Sequence, residues 1–318
     1  MRVGVDVGGT KTAAVLLCGD DVVRQIRLPT GYGPESVVET AVSAVANLAR
    51  RVGLAPADLE SVGVGIPGLV DPRTGRVSHA VNLGLNDLDL GPTLSSRLGV
   101  RVHIENDVNA AALGAYHSLE LDDAESMAYL NLGTGFAAGL VLQGRLWRGA
   151  RGAAGEIGHI PIDTNGPLCP CGQRGCLELT ASGSALARNW PTDHARPAEA
   201  LFHAADQGDE QARMVRTRFV EHIASAVRVL VLTVDVDFVV FGGGMSALGQ
   251  PLLATVCRVL DIRADTSQFL GSLELASRVR MLPEGSPVAA IGAALAAGAG
   301  GAAGRDVNRV DRSTRNAR

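Results

Sequence analysis

At 318 residues the chain is long enough for two domains, each burying a core of its own. Apolar residues make up 46% and aromatics only 3%, so the interior is expected to be built from Ala, Val, Leu and Gly. The 29 Lys and Arg against 33 Asp and Glu give a net charge of −4, with no dense basic run before the last residues, which argues against nucleic acid as the main partner.

Residues 2–17 (RVGVDVGGTKTAAVLL) are an apolar run, a glycine turn and a second apolar run: strand, tight hairpin, strand. No apolar core long enough for a secretion signal precedes them. Gly8 and Gly9 lack side chains, so backbone N–H groups there can approach phosphate oxygens. Thr10 adds a hydroxyl, Lys11 a counter-charge, and Asp6 a carboxylate able to hold magnesium through water. An ordinary hairpin with a Gly-Gly turn fits the same spacing. Residues 36–52 carry apolar groups at helical spacing, with a Ser start and Gly53 just beyond the end.

Gly63, Gly65 and Gly68 match the dinucleotide pattern G-x-G-x-x-G. That fingerprint needs a following helix, whereas Pro67, Pro72 and the Asp71-to-Gly75 stretch predict loop and hairpin. We therefore read a strand that ends in a glycine-proline loop. Asn82, in AVNLGL, has an amide able to donate to and accept from a ligand hydroxyl, and turn formation is its plainer role. The β-branched run at residues 100–104 meets Glu105, Asn106 and Asp107 and then an Ala-rich helix. Asp107 therefore falls at a helix N-terminus, which favours its ionised form; a cap there is compatible with a carboxylate rigidly aimed into a cleft.

Residues 127–142 (MAYLNLGTGFAAGLVL) repeat the strand, glycine turn, strand plan of the N-terminus, and Gln143-Gly144 predicts the next hairpin turn. Residues 156–178 then hold His159, Cys169, Cys171 and Cys176, so three of the five cysteines share one loop. Three thiols cannot pair off as disulfides, but with one imidazole they fill a tetrahedral zinc shell and leave no position for water, which makes the zinc structural. Gly172 and Gly175 let the backbone double back, and Pro167 and Pro170 restrain it.

The pattern ExGH followed by GPxCxCGxxGCxE, at residues 156–159 and 166–178, resembles the ROK family (repressors, open reading frames and kinases). The resemblance runs from residue 2 to about 300. It implies an α/β, two-lobed actin-like (ribonuclease H-like) ATPase fold with a structural zinc loop at 159–178. The expected smaller lobe is 1–115, joined by a closing helix at about 287–300; the larger is 116–286, and 301–318 is an expected disordered tail. On the same resemblance Glu156, His159 and Glu178 touch sugar hydroxyls while His159 also reaches the metal. The backbone near Gly68 lines the sugar cleft, Asp107 is the catalytic base and Asn106 holds a neighbouring hydroxyl. D-x-G-G-T-K at Asp6 to Lys11 looks like the first phosphate loop of that fold, Gly133, Thr134 and Gly135 face the terminal phosphates, and Gly242, Gly243 and Gly244 accept the nucleoside end of ATP. Two departures stand out. Gly84 and Leu85 occupy positions where the family usually has a Trp, and Phe136, Ala137 and Ala138 stand where it has glycine, so a different sugar wall and turn shape are expected there.

The last segments add a helix start at 179–189, polar surface helix and loop at 191–209, a periodic helix at 211–233 and a β-branched strand at 234–241 before the third glycine turn, with a further helix after it. Cys18 and Cys257 read as buried small hydrophobes. Residues 285–304 carry Pro287 near their start and are mostly Ala and Gly, a buried helix rather than a membrane span. The expected activity is transfer of a phosphoryl group from ATP, with Mg²⁺, to the 6-hydroxyl of a hexose. Glucose leads the candidates; N-acetylglucosamine, N-acetylmannosamine, mannose, fructose and allose follow, and polyphosphate is a second possible donor. The regulator branch of the family carries a DNA-binding domain ahead of the first strand, and Met1 lies only five residues before Asp6. A cytoplasmic homodimer or homotetramer, without membrane or nucleic-acid partners, completes the expectation.

Overall fold

In the computed structural model residues 1–299 are described, and the N-terminal run forms the expected hairpin of β1 (Arg2–Val7) and β2 (Lys11–Cys18). A third strand, β3 (Asp21–Pro29), pairs along β2 as a mostly exposed edge. Helix α1 (Pro34–Arg50) buries Val37, Val38, Ala41, Val45 and Leu48, as the spacing predicts. It starts two residues earlier than Ser36, because Gly33 at φ 94° ends the loop and Pro34 supplies the first helical φ. Next come β4 (Ser61–Ile66), buried throughout, and a small antiparallel sheet of β5 (Leu69–Asp71), β6 (Arg76–Ala80) and β7 (Leu85–Asp89). Helix α2 (Leu90–Leu98), β8 (Val102–Asn106) and α3 (Asp107–Ser118) follow.

The chain divides into two compact units. The first comprises Met1–Ala110, Arg148–Ala153 and the described residues from Ala289 onward. Its main sheet has the order β3-β2-β1-β4-β8, with β1 parallel to β4 and β4 parallel to β8. The closing helix, Val288–Ala299, lies with its backbone directly on this sheet. A Cβ placed on Gly4 would come within 1.8 Å of the Ala290 carbonyl oxygen, and one on Gly63 within 1.8 Å of that of Ala293. Two glycines in neighbouring strands are thus what lets an Ala-rich helix pack so closely. Among the described residues no helix is long and apolar enough to cross a membrane.

The second unit comprises Ala111–Trp147 and Ala154–Val288. Strands β9 (Met127–Leu132), β10 (Phe136–Leu142) and β11 (Arg145–Trp147) form a meander. Helices α4 (Glu178–Ala181), α5 (Gly183–Asn189), α6 (Pro197–Asp206) and α7 (Glu210–Val234) precede β12 (Phe238–Gly242), which is followed by α8 (Gln250–Asp265) and β13 (Val279–Met281). The sheet order is β11-β10-β9-β12-β13, again three antiparallel strands and then two parallel ones. The echo seen in the sequence is therefore a repeated topology. Phe219, Ile223, Val227 and Leu230 of α7 pack with Leu130 and Phe241 in this unit's core.

Several local expectations are corrected. The 179–189 helix is broken at Ser182, whose extended backbone and hydroxyl, accepting the Ala185 N–H, start a new helix. Residues 191–209 are only partly surface, since α6 buries Leu201, Phe202 and Ala205. The strand expected from residue 234 begins at Phe238, because Val234 ends α7 and Asp235 turns in the left-handed region at φ 53°. Cys18 is exposed at a strand end, and Cys257 is only half-buried, packed against the edge of the second unit's core. The tail expected at 301–318 lies outside the described residues.

Replacing Gly63 by Ala is expected to destabilise the protein by about 1–3 kcal/mol through overpacking against the closing helix, seen as a lower thermal midpoint. An unchanged midpoint would show that the helix sits elsewhere.

Candidate active site and metal centre

Strands β1, β4 and β8 lie side by side and parallel, so their C-terminal ends open on one edge, where α/β sheets bind ligands. The register aligns Asp6 with Gly65 and Gly65 with Glu105. With no side chain at Gly65, the first turn of α3 comes down onto β4: a Cβ there would stand 3.7 Å from the Asp107 Cα and 3.3 Å from the Ala110 Cβ. Asp6 and Asp107 consequently face each other electrostatically. Burial, and then the charge of Asp107, push the Asp6 carboxyl up to about 7.

Asp107 is the first residue of α3, and its Oδ1 accepts the Val108 N–H at 3.0 Å. The cap itself is Asn106: its Oδ1 accepts the N–H groups of Val108 (3.0 Å) and Asn109 (3.1 Å). Its Nδ2 donates to the Gly68 carbonyl at 3.3 Å. The sequence reading put the cap on Asp107; the structure moves it one residue back, which leaves Asp107 in the dipole field of the first turn. Gly68 holds φ 104°, and a Cβ there would lie 2.7 Å from the Ser78 carbonyl oxygen, so only glycine fits where the loop meets Asn106. Asn82 is exposed in a single 3₁₀ turn and lies beside Gly9, 3.6 Å from where a Cβ on that glycine would be.

The two glycine hairpins close in similar ways. Gly8 donates its N–H to the Lys11 carbonyl at 3.1 Å and Gly133 donates to Gly135 at 3.2 Å. These two amides are engaged in their own turns. None of Gly8, Gly9, Gly133 and Gly135 has a left-handed backbone; at Gly8 and Gly135 it is space that favours glycine, since a Cβ would stand 3.0 Å from the Lys11 carbonyl oxygen and from Glu178 Oε2 respectively. Phe136, Ala137 and Ala138 already belong to β10. Thr10, Lys11 and Thr134 are exposed around the two turns.

Glu178, at the start of α4, accepts the Phe136 N–H at 3.0 Å and so sits on the second glycine turn. Gly158 approaches the same place: its Cβ would clash with the Phe136 carbonyl at 2.0 Å and lie 3.4 Å from the Glu178 Cβ. The 3₁₀ turn Ile157–His159, preceded by exposed Glu156, is thereby held against the head of β10. The third glycine turn is also here, because β12 pairs Gly242 with Asn131. Gly243 has φ 83° and ψ −179°, a region open essentially to glycine alone, and its Cβ would be 2.5 Å from Asn131 Oδ1. Asn131, a polar residue in an otherwise apolar strand, thus separates the second and third glycine turns. Gly244 is exposed beyond them.

In the loop that follows, no two donor atoms of His159, Cys169, Cys171 and Cys176 are more than 4.8 Å apart. Cys171 Sγ and Cys176 Sγ are 3.6 Å apart, and Cys169 Sγ is 3.9 Å from His159 Nδ1. Thiolates bound at about 2.3 Å around a tetrahedral zinc stand ~3.8 Å from one another, so the donor set fits that ion. Burial pushes the Cys176 thiol up, while the Gln173 backbone N–H draws Cys171 down. The loop is shaped for the cluster: Gly172 and Gly175 both have positive φ, and a Cβ on Gly175 would meet the Asp163 carbonyl oxygen at 1.7 Å.

The chain matches the ROK family over residues 2–297. It belongs to that family. A glucokinase of Halalkalibacterium halodurans is 35% identical over 80% of this chain and 83% of its own length. A xylose repressor of Caldicellulosiruptor bescii is 27% identical over 84% of this chain and 71% of its own. Among solved structures, the ROK hexokinase from Thermus thermophilus superposes with a TM-score of 0.78, at 33% identity, covering 95% of this chain and 99% of that one. The ROK family glucokinase from Streptomyces griseus in complex with glucose and AMPPNP gives 0.74 at 29% identity, covering 94% and 99%. The expected α/β fold of the ROK sugar kinases is therefore the fold of this chain.

Two residues beside the candidate site are not singled out by the sequence analysis. Glu105 and Asn131 are polar side chains inside β-branched or apolar strands, and that misfit is the signal that marks them.

Two outcomes are expected. Because the folded-state pKa of Asp6 is raised from 3.8 to about 7, its contribution to stability is full below about pH 4 and is lost as the pH rises through 7. Denaturant unfolding across pH 4–8 should show that decline, and Asp6→Asn should remove it; a decline of equal size in the variant would contradict the assignment. Elemental analysis should find one zinc per chain in the wild type and none in Cys176→Ser, with a lower melting midpoint in the variant.

Proposed function

We propose that this ROK protein is an ATP-dependent hexose kinase acting on the 6-hydroxyl, with glucose as the leading substrate. The observation that carries the reading is Asp107, fixed at the first position of α3 at the edge where β1, β4 and β8 end, across Gly65 from Asp6. The S. griseus relative, which was solved with glucose and AMPPNP, supports the substrate class.

In this reading Asp107 accepts the proton of the 6-hydroxyl as that oxygen attacks the γ-phosphorus. The new O–P bond forms in line as the bond to the β-phosphate oxygen breaks, and ADP leaves. An aspartate has an unperturbed pKa of about 4, so it takes the proton late, and positioning carries most of the rate. Asn106 keeps one amide hydrogen beyond its bond to Gly68 for a neighbouring hydroxyl. Glu156, Glu178 and His159 bind further hydroxyls; with Nδ1 of His159 turned to the thiols, its Nε2 is the nitrogen for substrate. Asp6 is the residue that would hold Mg²⁺ through water, and a divalent cation there neutralises the developing phosphate charge. The turns at residues 8–11, 133–135 and 242–244 receive ATP. Zinc stays structural, and its thiolates suit a reducing, cytoplasmic setting.

A sugar-responsive regulator is the reading of another class, favoured by the xylose repressor relative. A coupled ADP assay over glucose, mannose, fructose, allose and the N-acetylated hexosamines separates the two. Hexose-dependent ADP release, with product phosphorylated at the 6-position, is expected. Release without any hexose, or no release together with sugar-sensitive operator binding, would overturn the kinase reading.

A further inference from the structure

Glu105 is a buried charge that the mechanism above does not use. Its side chain is only 2% exposed, at the end of β8 and two residues before Asp107. Oε1 accepts the main-chain N–H of Asn106 at 3.1 Å and the Asn109 Nδ2 at 3.3 Å. Oε2 accepts Nε of Arg148 at 3.0 Å and also its Nη2. His103 Nε2 lies 3.6 Å away, too far for a hydrogen bond. Burial pushes the Glu105 carboxyl up, but the Arg148 guanidinium that donates to it, with His103 close by, more than offsets this and holds it below the ordinary carboxylate range.

Stability alone is a poor reason for such a group, since apolar residues in place of a buried ion pair are often neutral or stabilising. Helix capping is no reason either, because Asn106 already supplies it. What Glu105 does hold is the chain on either side of Asp107: the amide of the residue before it and the side chain of the residue two after it. Arg148 opens the short segment Arg148–Ala153, which belongs to the first unit although it lies between stretches of the second in sequence.

We propose that Glu105 is a positioning residue that fixes the backbone of Asp107 and so aims its carboxylate, with Arg148 as the two-pronged ion-pair partner that holds Glu105 in place. This rests on the kinase reading for its effect on turnover, and on the hydrogen-bond geometry alone for its effect on the turn. A carboxylate misplaced by about 1 Å can cost on the order of 10²-fold in rate.

The test is the pair of variants Glu105→Gln and Glu105→Leu/Arg148→Met, read by hexose KM, kcat, thermal midpoint and hydrogen exchange at the Val108 and Asn109 amides. The double variant should melt within a few degrees of wild type. Both variants should lose about 10–100-fold in kcat with hexose KM changed less than about threefold, and both amides should exchange faster. Arg148→Lys, which keeps the charge but not the two-pronged contact, should lose less turnover than either. Wild-type kcat in a folded variant, or unchanged exchange at both amides, would overturn the proposal. Should the double variant not fold, Glu105→Gln alone decides by the same readouts. Absence of hexose-dependent turnover in the wild type would instead sink the kinase reading, and the exchange rates would still judge Glu105.

Discussion

Two carboxylates brought close by a residue without a side chain set the terms for the first unit. Asp6 is next to last in one parallel strand and Asp107 begins the helix that follows another, with Gly65 on the strand between them. Burial first, and then the like charge of Asp107, disfavour the ionised form of Asp6, which is why its carboxyl moves up to about 7. An arrangement that costs stability near neutral pH suggests a cationic partner for the pair, and a magnesium nucleotide beside an acceptor hydroxyl is the partner our proposal assigns.

Glycine serves three distinct ends in this chain. At Gly4 and Gly63 it lets the closing helix lie on the sheet, at Gly68 and Gly243 it takes backbone conformations that other residues avoid, and at Gly135 it leaves room for the Glu178 carboxylate. The zinc-loop glycines belong to the second kind. Because Gly158 and Glu178 converge on Phe136, the metal loop and the second glycine turn form one continuous piece of structure, so loss of the metal should be felt at the turn.

Strong periodicity and special residue types made much of this legible from sequence. The α1 and α7 helices, both glycine hairpins and the three-cysteine loop follow from spacing or from chemistry that few residues can perform. Edge strand β3 was illegible because an exposed edge buries too little to leave an alternating pattern. Boundaries moved where a left-handed residue, such as Asp235, intervened between apolar runs. The cap at Asn106 rather than Asp107, and the engagement of the Gly8 and Gly133 amides in their own turns, depend on hydrogen bonds that neighbouring letters do not distinguish. Glu105 and Asn131 gain their significance only when strand pairing shows what stands beside them.

The account as a whole turns on the role given to Asp107. Its most direct test is Asp107→Asn, with hexose affinity measured by calorimetry and phosphoryl transfer by single turnover. Affinity within about threefold of wild type and a loss of at least about 10²-fold in transfer are predicted, the size expected for removing a general base. Transfer at a rate near wild type with the hexose still bound would contradict it.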